Sequence, residues 1–469
     1  LAFMIPVSWL AYKQLGTPFA PLVYGQQLAH IEAIEKRLIN DPGEIEVRQE
    51  FSRRAKVFED RLQNVEQSLV GLRQELEEKI RTLKAQAADY ASIAQARRDF
   101  LAVPRDAATA REEWTRAMNE NRERAKPLGG MPVHALAFAG NPEGSPEQVK
   151  LFDESRLNFL ALVFCLMVGT AGLPHLLTRF YTSPSVAQTR TSVAWSLFFI
   201  GLLYLSVPAL AVLVKLVVLN NLVGRSFEDL PSWMAQWSRL DSGLLSFSDV
   251  NGDGILQLGE LKLGADMIML ATPELGGMPF VVSGLVAAGG LAAALSTADG
   301  LLLTISNALV HDIGPGRDRK PKSPEGRVIL SKFALLAVAM VAAVVAAFKP
   351  AEILSLVSAS FSLAAAAFFP GMALGMVWKK VHRPAVVAGM LTGLGLTLYY
   401  MVINAPGFQH FWGLDPFGGL WFGIQPLSAG VFGVPAGALV MVLVTLLVPA
   451  RWVSPPKPTA VPGNGYPGL

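Results

Sequence analysis

Twelve consecutive residues, Asp249-Val-Asn-Gly-Asp-Gly-Ile-Leu-Gln-Leu-Gly-Glu260, carry oxygen donors at the spacing of a calcium loop. The EF-hand pattern places oxygens at positions 1, 3, 5, 7, 9 and 12 and Gly at position 6. Here these are Asp249, Asn251, Asp253, the backbone carbonyl of Ile255, Gln257 (directly or through water) and Glu260. Gly254 falls where the turn needs positive φ. A hard divalent cation takes six to eight oxygens, and this spacing wraps them around one point, with Glu260 as the bidentate ligand. The competing reading is an Asp/Asn/Gly-rich surface turn. The loop is single, and its flanks are too short for two amphipathic helices. A constitutively filled structural Ca2+ is therefore expected rather than a sensor.

A second cluster lies in apolar surroundings, in GGLAAALSTADGLLLTISNALVHD, residues 289–312. The adjacent hydroxyls of Ser296 and Thr297, with a carbonyl one turn earlier at Ala293, can form part of an oxygen shell for Na+. Asp299 lies one turn from Ser296 on nearly the same face. An intramembrane carboxylate is costly and marks an ion or proton path, so Asp299 is a candidate second cation or proton site. Interhelical hydrogen bonding by Ser and Thr is the plainer alternative.

A third pattern is LNFLALVFCLMVGTAGLPHLLTRFY, residues 157–181. Gly169, Thr170, Ala171, Gly172 and then Pro174 interrupt an apolar run. Gly tolerates irregular backbone, and Pro suits the first turn of a restarting helix. The spacing predicts a broken helix restarting near Leu173, whose free N–H groups point at an anion. Gly169, Thr170 and Gly172 are the candidate substrate contacts. Close helix packing through small residues is the alternative.

Membrane helices must position the second and third. Of 469 residues, 52% are hydrophobic and 16% charged, more apolar and less charged than ordinary soluble domains. Apolar runs near 157–181, 192–219, 278–312, 328–348, 351–378, 384–405 and 424–449 are long enough to span a bilayer. Positive charge collects at Arg179 and Arg190, at Arg317, Arg319, Lys320, Lys322, Arg327 and Lys332, at Lys379, Lys380 and Arg383, and at Arg451. Placing these faces in the cytoplasm lets the spans alternate without conflict. Residues 220–277, with the calcium loop, and everything before 157 then lie on the external or periplasmic side, and the Pro/Gly tail 450–469 is cytoplasmic. A net charge of +3 gives no reason to expect nucleic acid. The single cysteine, Cys165, excludes an internal disulfide. Leu1–Tyr12 is apolar but too short for a span, and is expected to be the end of a truncated transmembrane helix.

Residues 13–150 read as an external insertion. Val47, Phe51, Ala55, Phe58, Leu62, Val65, Leu69, Leu72, Leu76, Ile80 and Leu83 recur by threes and fours with charges of both signs between them. That is a heptad seam. Pro104 interrupts it, and a second helical stretch runs to Lys126. The pattern predicts a coiled-coil hairpin over about 28–126, with 127–150 as loop.

GTAGLPHLLTRF (169–180) and GGMPFVVSGLVAAGGLAAALSTADGLLLTISNALVHD (276–312) resemble the sodium:solute symporter family, in its acetate-permease-like branch. The resemblance implies the leucine-transporter-like core, two inverted repeats of five helices around a mid-membrane site. Residues 157–181 would be its sixth helix, 278–312 its eighth, and Leu1–Tyr12 the end of its fifth. The family's sodium site takes a carbonyl and two hydroxyls from the eighth helix, matching Ala293, Ser296 and Thr297, and its other oxygens from a broken first helix that this chain lacks. A small membrane subunit is a partner in related symporters. The insertion departs from the family's short fifth-to-sixth loop.

The fold class expected is thus an all-α polytopic membrane protein, with a partial inverted-repeat core in 151–449 and an external helical-hairpin insertion. The function expected is symport of Na+ with a small organic anion such as acetate, in a cell (inner) membrane and in contact with lipid. A membrane receptor using the hairpin and calcium loop is the alternative. An enzyme ranks last, since no nucleophile–base pair stands in the spans.

Overall fold

The computed structural model describes residues 3–19, 23–86, 88–134, 136–175, 184–312, 324–348, 353–405 and 419–448. Most of the Arg/Lys-rich loop (313–323), most of the loop before the last span (406–418), the tail, and the expected restart of the broken helix (176–183) lie outside them. The described chain is helical but for one two-stranded ribbon. Its helices are α1 (Met4–Leu15), α2 (Gln27–Ile39), α3 (Pro42–Gln63), α4 (Val65–Ala85), α5 (Tyr90–Leu101), α6 (Ala107–Arg124), α7 (Pro146–Gly172) and α8 (Val186–Asn221). After α9 (Ser232–Leu240) come the antiparallel strands β1 (Leu245–Phe247) and β2 (Leu261–Leu263), which frame the loop between them. Then follow α10 (Ala265–Leu275), α11 (Phe280–Asn307), α12 (Pro324–Ala347), α13 (Ile353–Val377), α14 (Arg383–Ile403) and α15 (Gly430–Leu447).

Seven of these helices are long and apolar enough to cross a membrane: Pro146–Gly172, Val186–Asn221, Phe280–Val310, Val328–Ala347, Ile353–Val377, Arg383–Ile403 and Pro426–Leu447. Each overlaps one of the seven predicted runs, although the first runs from Pro146 to Gly172 where 157–181 was expected. Large apolar side chains stand exposed along them, among them Trp195, Phe198, Leu295, Phe333 and Leu391. Such surface needs lipid or further protein to cover it. The chain is an all-α polytopic membrane protein.

The chain divides into two compact units, described separately. The first comprises Leu1–Ala137 and Ser196–Leu291. Its core joins Val7 and Leu10 of α1, Ile31 of α2, Leu213 and Val217 of α8, and Met234, Leu245, Leu256, Leu258 and Met267. The second half of α8 is buried here because Ala209 to Leu219 is Leu, Val and Ala at every position but Lys215.

The heptad seam is carried by two helices rather than one. Asn64 leaves helical geometry (φ −142°, ψ 83°), ending α3, and its side chain accepts the Gln67 N–H to start α4. Asn competes with the helix for its own backbone donors, which is why the break falls there. Asp41 opens α3 by accepting the N–H groups of Gly43 and Glu44 at 3.1 and 3.3 Å, with Pro42 in the first turn. Asp106 caps α6 through Thr109 N–H at 2.8 Å. The helices α3 and α6 pack side by side, and α4 packs on α5. Val65, Leu69, Ala110 and Trp114 form a small separate core between them.

The second unit comprises Phe138–Trp195 and Ala292–Leu469. Here α7, α13, α14 and α15 form a tight bundle. Without water-driven burial, membrane helices associate through close backbone approach at small residues. A Cβ added at Gly389 would lie 2.7 Å from the Gly437 carbonyl, and one at Gly437 2.8 Å from the Gly389 carbonyl. The α14–α15 crossing is a reciprocal glycine contact. Cys165 is buried on α7 and donates to Ser428 O at 3.4 Å, while Tyr400 donates to Ile424 O at 2.6 Å.

Candidate functional site

On α11 the geometry is local and simple. Thr297 lies one turn beyond Ala293, and its hydroxyl donates to the Ala293 carbonyl at 3.1 Å. Two oxygens of the predicted sodium set are therefore adjacent. Ser296 and Asp299 follow the helical path, and residues 290–299 are exposed nearly throughout. The face Ala293–Ser296–Thr297 is exposed. Thr304 and Ser306 are spoken for: Thr304 donates to Gly300 O and Ser306 to Ser331 O, at 2.8 and 2.7 Å. After Asn307 the helix widens into a π turn over Ala308–Asp312.

The break in α7 falls at the residue the sequence indicates. The helix ends at Gly172, Leu173 is extended (φ −68°, ψ 117°), and Pro174 and His175 are helical again. The three substrate candidates separate. Gly169 and Gly172 are buried against α13: a Cβ on Gly169 would strike the Phe361 carbonyl, and one on Gly172 would lie 3.2 Å from the Ala364 carbonyl. Their glycine identity serves helix packing here. Thr170 points the other way, exposed, with its hydroxyl donating to Leu166 O at 2.6 Å. Of the three, Thr170 is the one open to a ligand.

The acidic loop lies between β1 and β2, framed by strands and not by EF-hand helices. Asp249 accepts Gly252 N–H at 2.7 Å and Gly254 N–H at 3.0 Å, and Asp253 accepts Ile255 N–H at 2.7 Å. Gly252 and Gly254 take φ of +78° and +72°, open to Gly at no steric cost. The carboxylate of Glu260 is wholly buried and accepts the N–H groups of Val250 and Gln257. Gln257 is 5% exposed; its Nε2 donates to Asp253, and its Oε1 is buried without a hydrogen-bond partner. The donor chemistry suits a hard cation. Among the described residues, no three of His, Cys, Asp and Glu are close enough to form a metal site by themselves. The loop's remaining oxygens, from Asn251, Ile255 and Gln257, would be needed.

Two features of this region were beyond sequence reasoning. Glu44 of α3, buried, accepts Leu258 N–H and Gly259 N–H, the latter at 3.2 Å. Arg124 at the end of α6 donates twice to Gly259 O, at 3.2 and 2.8 Å, and lies 4.3 Å from the centre of the Phe51 ring. Burial pushes the carboxyls of Glu44 and Glu260 above the usual range and lowers the Arg124 guanidinium, each offset in part by hydrogen bonds or neighbouring charge. In a segment crowded with Glu and Arg, nothing local distinguishes these two. A third feature had a signal: Lys215 is the one cation in the apolar second half of α8, and it pairs at 3.3 Å with Glu35 of α2.

Residues 267–393 match the model of the sodium:solute symporter family. An uncharacterized symporter of Cupriavidus necator is 44% identical over 449 residues, 96% of this chain and 64% of that protein. The matched segment is similar to the sodium:solute symporter family. A monocarboxylic acid transporter of Corynebacterium glutamicum is 28% identical over 243 residues, 51% of this chain and 37% of that protein. An uncharacterized symporter of Bacillus subtilis is 28% identical over 297 residues, 62% of this chain and 50% of that protein. The chain thus spans less than two thirds of the length of each of these relatives. The region matched by the family model takes in most of α10, all of α11 to α13 and part of α14, and holds Ala293, Ser296, Thr297 and Asp299. The α7 break, the acidic loop and the insertion fall outside that region, although the Cupriavidus alignment extends over nearly the whole chain.

Proposed function

We propose that this protein couples Na+ entry to uptake of a small organic anion, with monocarboxylates such as acetate as the first candidates. The observation that carries the reading is the polar face of α11. Thr297 Oγ1 and the Ala293 carbonyl already meet at 3.1 Å within an apolar span, in the segment that matches the family. Lipid supplies no oxygen ligands, so oxygens gathered there serve an ion or one another. Broken backbone elsewhere in the core, lining a cavity, would complete the shell. The anion end of the reading rests on the α7 break at Leu173, with Thr170 exposed beside it, and on the Corynebacterium relative's name. Asp299 is the second cation or proton site. One Na+ crossing a potential of 100 mV supplies about 2.3 kcal/mol, enough to concentrate an anion substantially.

The cytoplasmic faces are those bearing Lys379, Lys380 and Arg383, which puts the insertion and the acidic loop on the external or periplasmic side. There the loop holds a structural Ca2+ through Asp249, Asn251, Asp253, the Ile255 carbonyl, Gln257 and Glu260. Lipid covers the exposed apolar faces of α8, α11 and α12.

The test is uptake of labelled acetate against sodium concentration in cells expressing the protein. A hydrogen bond or ligand contact to a charged group contributes roughly 1.5–3 kcal/mol. Thr297→Ala and Ser296→Ala should each raise the sodium needed for half-maximal uptake by about tenfold or more, with substrate affinity at saturating sodium changed less. Thr297→Ser, which keeps the hydroxyl, should restore it. Sodium dependence unchanged in both alanine variants would refute the site. Sodium-independent uptake by the unaltered protein would refute the coupling.

A further inference from the structure

A cleft of 330 Å3 opens in the first unit where α1, α8 and α10 end and α9 begins. Its floor is apolar, from Leu10, Val217 and Leu222, all buried in the core. Its rim carries Lys13, Gln14, Asn221, Arg225, Trp233 and Glu274. A glycine cap shapes the wall at α10. Gly277 takes φ +63° and donates to Glu274 O at 2.9 Å, and Met278 N–H donates to Pro273 O at 2.9 Å. The Gly276 carbonyl is left to α1, where Trp9 Nε1 and Lys13 Nζ both donate to it, at 3.2 and 2.9 Å. A Cβ on Gly277 would lie 3.3 Å from that ammonium. Beyond α8, the backbone of Arg225 is held by Leu256 N–H, which donates to its carbonyl at 2.7 Å.

The charges of the cleft do not cancel. Glu274, the one carboxylate among its described lining residues, already accepts Trp237 Nε1–H at 2.5 Å. Neither Lys13 nor Arg225 forms an ion pair among the described residues. Three helix ends meet here, and their carbonyls by themselves favour nearby cations. Lys13 answers to that cause, since its ammonium lies on Gly276 O. Arg225 does not: its guanidinium reaches no carbonyl or carboxylate among the described residues, and the side chains of Gln14, Asn221 and Trp233 likewise have no partner there. Side chains rich in N–H donors thus stand around an apolar floor, with a net positive charge.

We propose that this cleft binds a small organic carboxylate, its oxygens on Arg225, Lys13 and the Trp233 N–H and its apolar end on Leu10 and Val217. A guanidinium fork matches a carboxylate in shape as well as charge. A cleft of one sign between apolar walls concentrates the opposite ion. The volume is that of a small-ligand pocket. A cation would meet Lys13 and Arg225, and an inorganic anion would leave the floor wet. This rests on the anion reading given above and deepens it: in the topology proposed there, the cleft lies on the external side and is an entry site for the anion. It belongs to the first unit, whereas Thr170 belongs to the second.

The experiment uses the purified full chain in nanodiscs of zwitterionic lipid at constant sodium chloride. Ligand-observed NMR titration measures binding of acetate, propionate and butyrate. Each added methylene should tighten binding by about two- to fourfold, as expected for a CH2 that is partly or fully buried. Arg225→Gln should weaken butyrate binding by about tenfold or more, the worth of a charged hydrogen bond. Trp233→Phe keeps an aromatic ring against the core and removes only the N–H; it is the second variant, expected to weaken binding severalfold. Lys84→Gln, an exposed cation of α4, is the charge control and should leave binding unchanged. Affinity independent of chain length, or phosphate competing as well as butyrate, would overturn the carboxylate assignment. Equal effects of Arg225→Gln and Lys84→Gln would overturn the cleft. Displacement of butyrate by anionic phospholipid in the disc would assign the cleft to a lipid headgroup instead. In cells, Arg225→Gln should raise KM for acetate uptake by a similar factor. Uptake with KM unchanged in that variant would overturn the entry site and leave the transport reading standing. Butyrate bound through Arg225 by a chain that takes up no acetate would overturn the transport reading and the entry role, and leave the carboxylate site.

Discussion

Gly433→Ala tests whether the bundle of α7, α13, α14 and α15 is set by close backbone approach. The added methyl would lie 2.7 Å from Ala366 Cβ and 2.7 Å from the Gly393 carbonyl, and would strike the Thr397 hydroxyl outright. That hydroxyl cannot swing away freely, because it donates to Gly393 O at 2.8 Å and is fully buried. Ordinary contact begins near 3.4 Å, so α15 has to withdraw by about 0.7 Å from α13 and α14. A radial gap of that size forfeits roughly a quarter to a half of each dispersion contact along the seam. It would also part the reciprocal Gly389–Gly437 contact. Overpacking of a filled site costs about 1–3 kcal/mol, and breaking the Thr397 hydrogen bond adds about 1 kcal/mol. At roughly 2–4 °C per kcal/mol, the melting temperature should fall by on the order of 5–10 °C. Gly395→Ala is the internal control. It lies on α14 with nothing within 4 Å of the added methyl, and Ala is the better helix former, so it should be neutral or slightly stabilising. The assay is thermal unfolding of the purified protein in one detergent, followed by intrinsic fluorescence and by scanning calorimetry. Equal melting of Gly433→Ala and the unaltered protein would refute the packing argument, as would an equal loss in Gly395→Ala.

The Glu35–Lys215 pair, with side chains 1% and 14% exposed, gives the second prediction. Lys215→Met alone leaves a buried carboxylate uncompensated and should cost about 3–5 kcal/mol, whereas Glu35→Gln with Lys215→Met should recover most of that; equal melting temperatures for the single and double variants would show the pair to be uncoupled. The third concerns acid. Hydrogen bonds and charge from Arg53, then Arg54, hold the Glu50 carboxyl down at about 2, against an unfolded value near 4.5. A depressed acid stabilises the folded state above its unfolded value and loses that stabilisation as pH falls through the folded one, so Glu50→Gln should be less stable than the unaltered protein at pH 6 by about 0.2–1 kcal/mol, with most of that gap gone near pH 2. A gap that stays constant from pH 6 to 2 would contradict the assignment.

The features legible in the sequence are those whose cause is local or periodic. Seven spans follow from apolar runs of bilayer length, because a chain in lipid must satisfy its backbone within each helix. The α7 break follows from Gly172 and Pro174, whose backbone preferences act on their own neighbours. The oxygen spacing of 249–260 and the meeting of Ala293 with Thr297 follow from turn and helix geometry alone. Other outcomes needed the path of the whole chain. Gly169 and Gly172 were legible as flexible or small, but only the position of α13 shows that they admit its backbone, leaving Thr170 as the open residue. The seam over 47–83 marks a buried face without revealing that Asn64 divides it into two helices. Glu44 and Arg124 are typical solvated charges by pattern. They become buried partners of Leu258 and Gly259 because folding brings residues more than a hundred positions apart into one turn. Hydrophobic periodicity records which side of an element is buried. It does not record which backbone groups elsewhere are left needing a donor or an acceptor, and in this protein that need is met only by the tertiary structure.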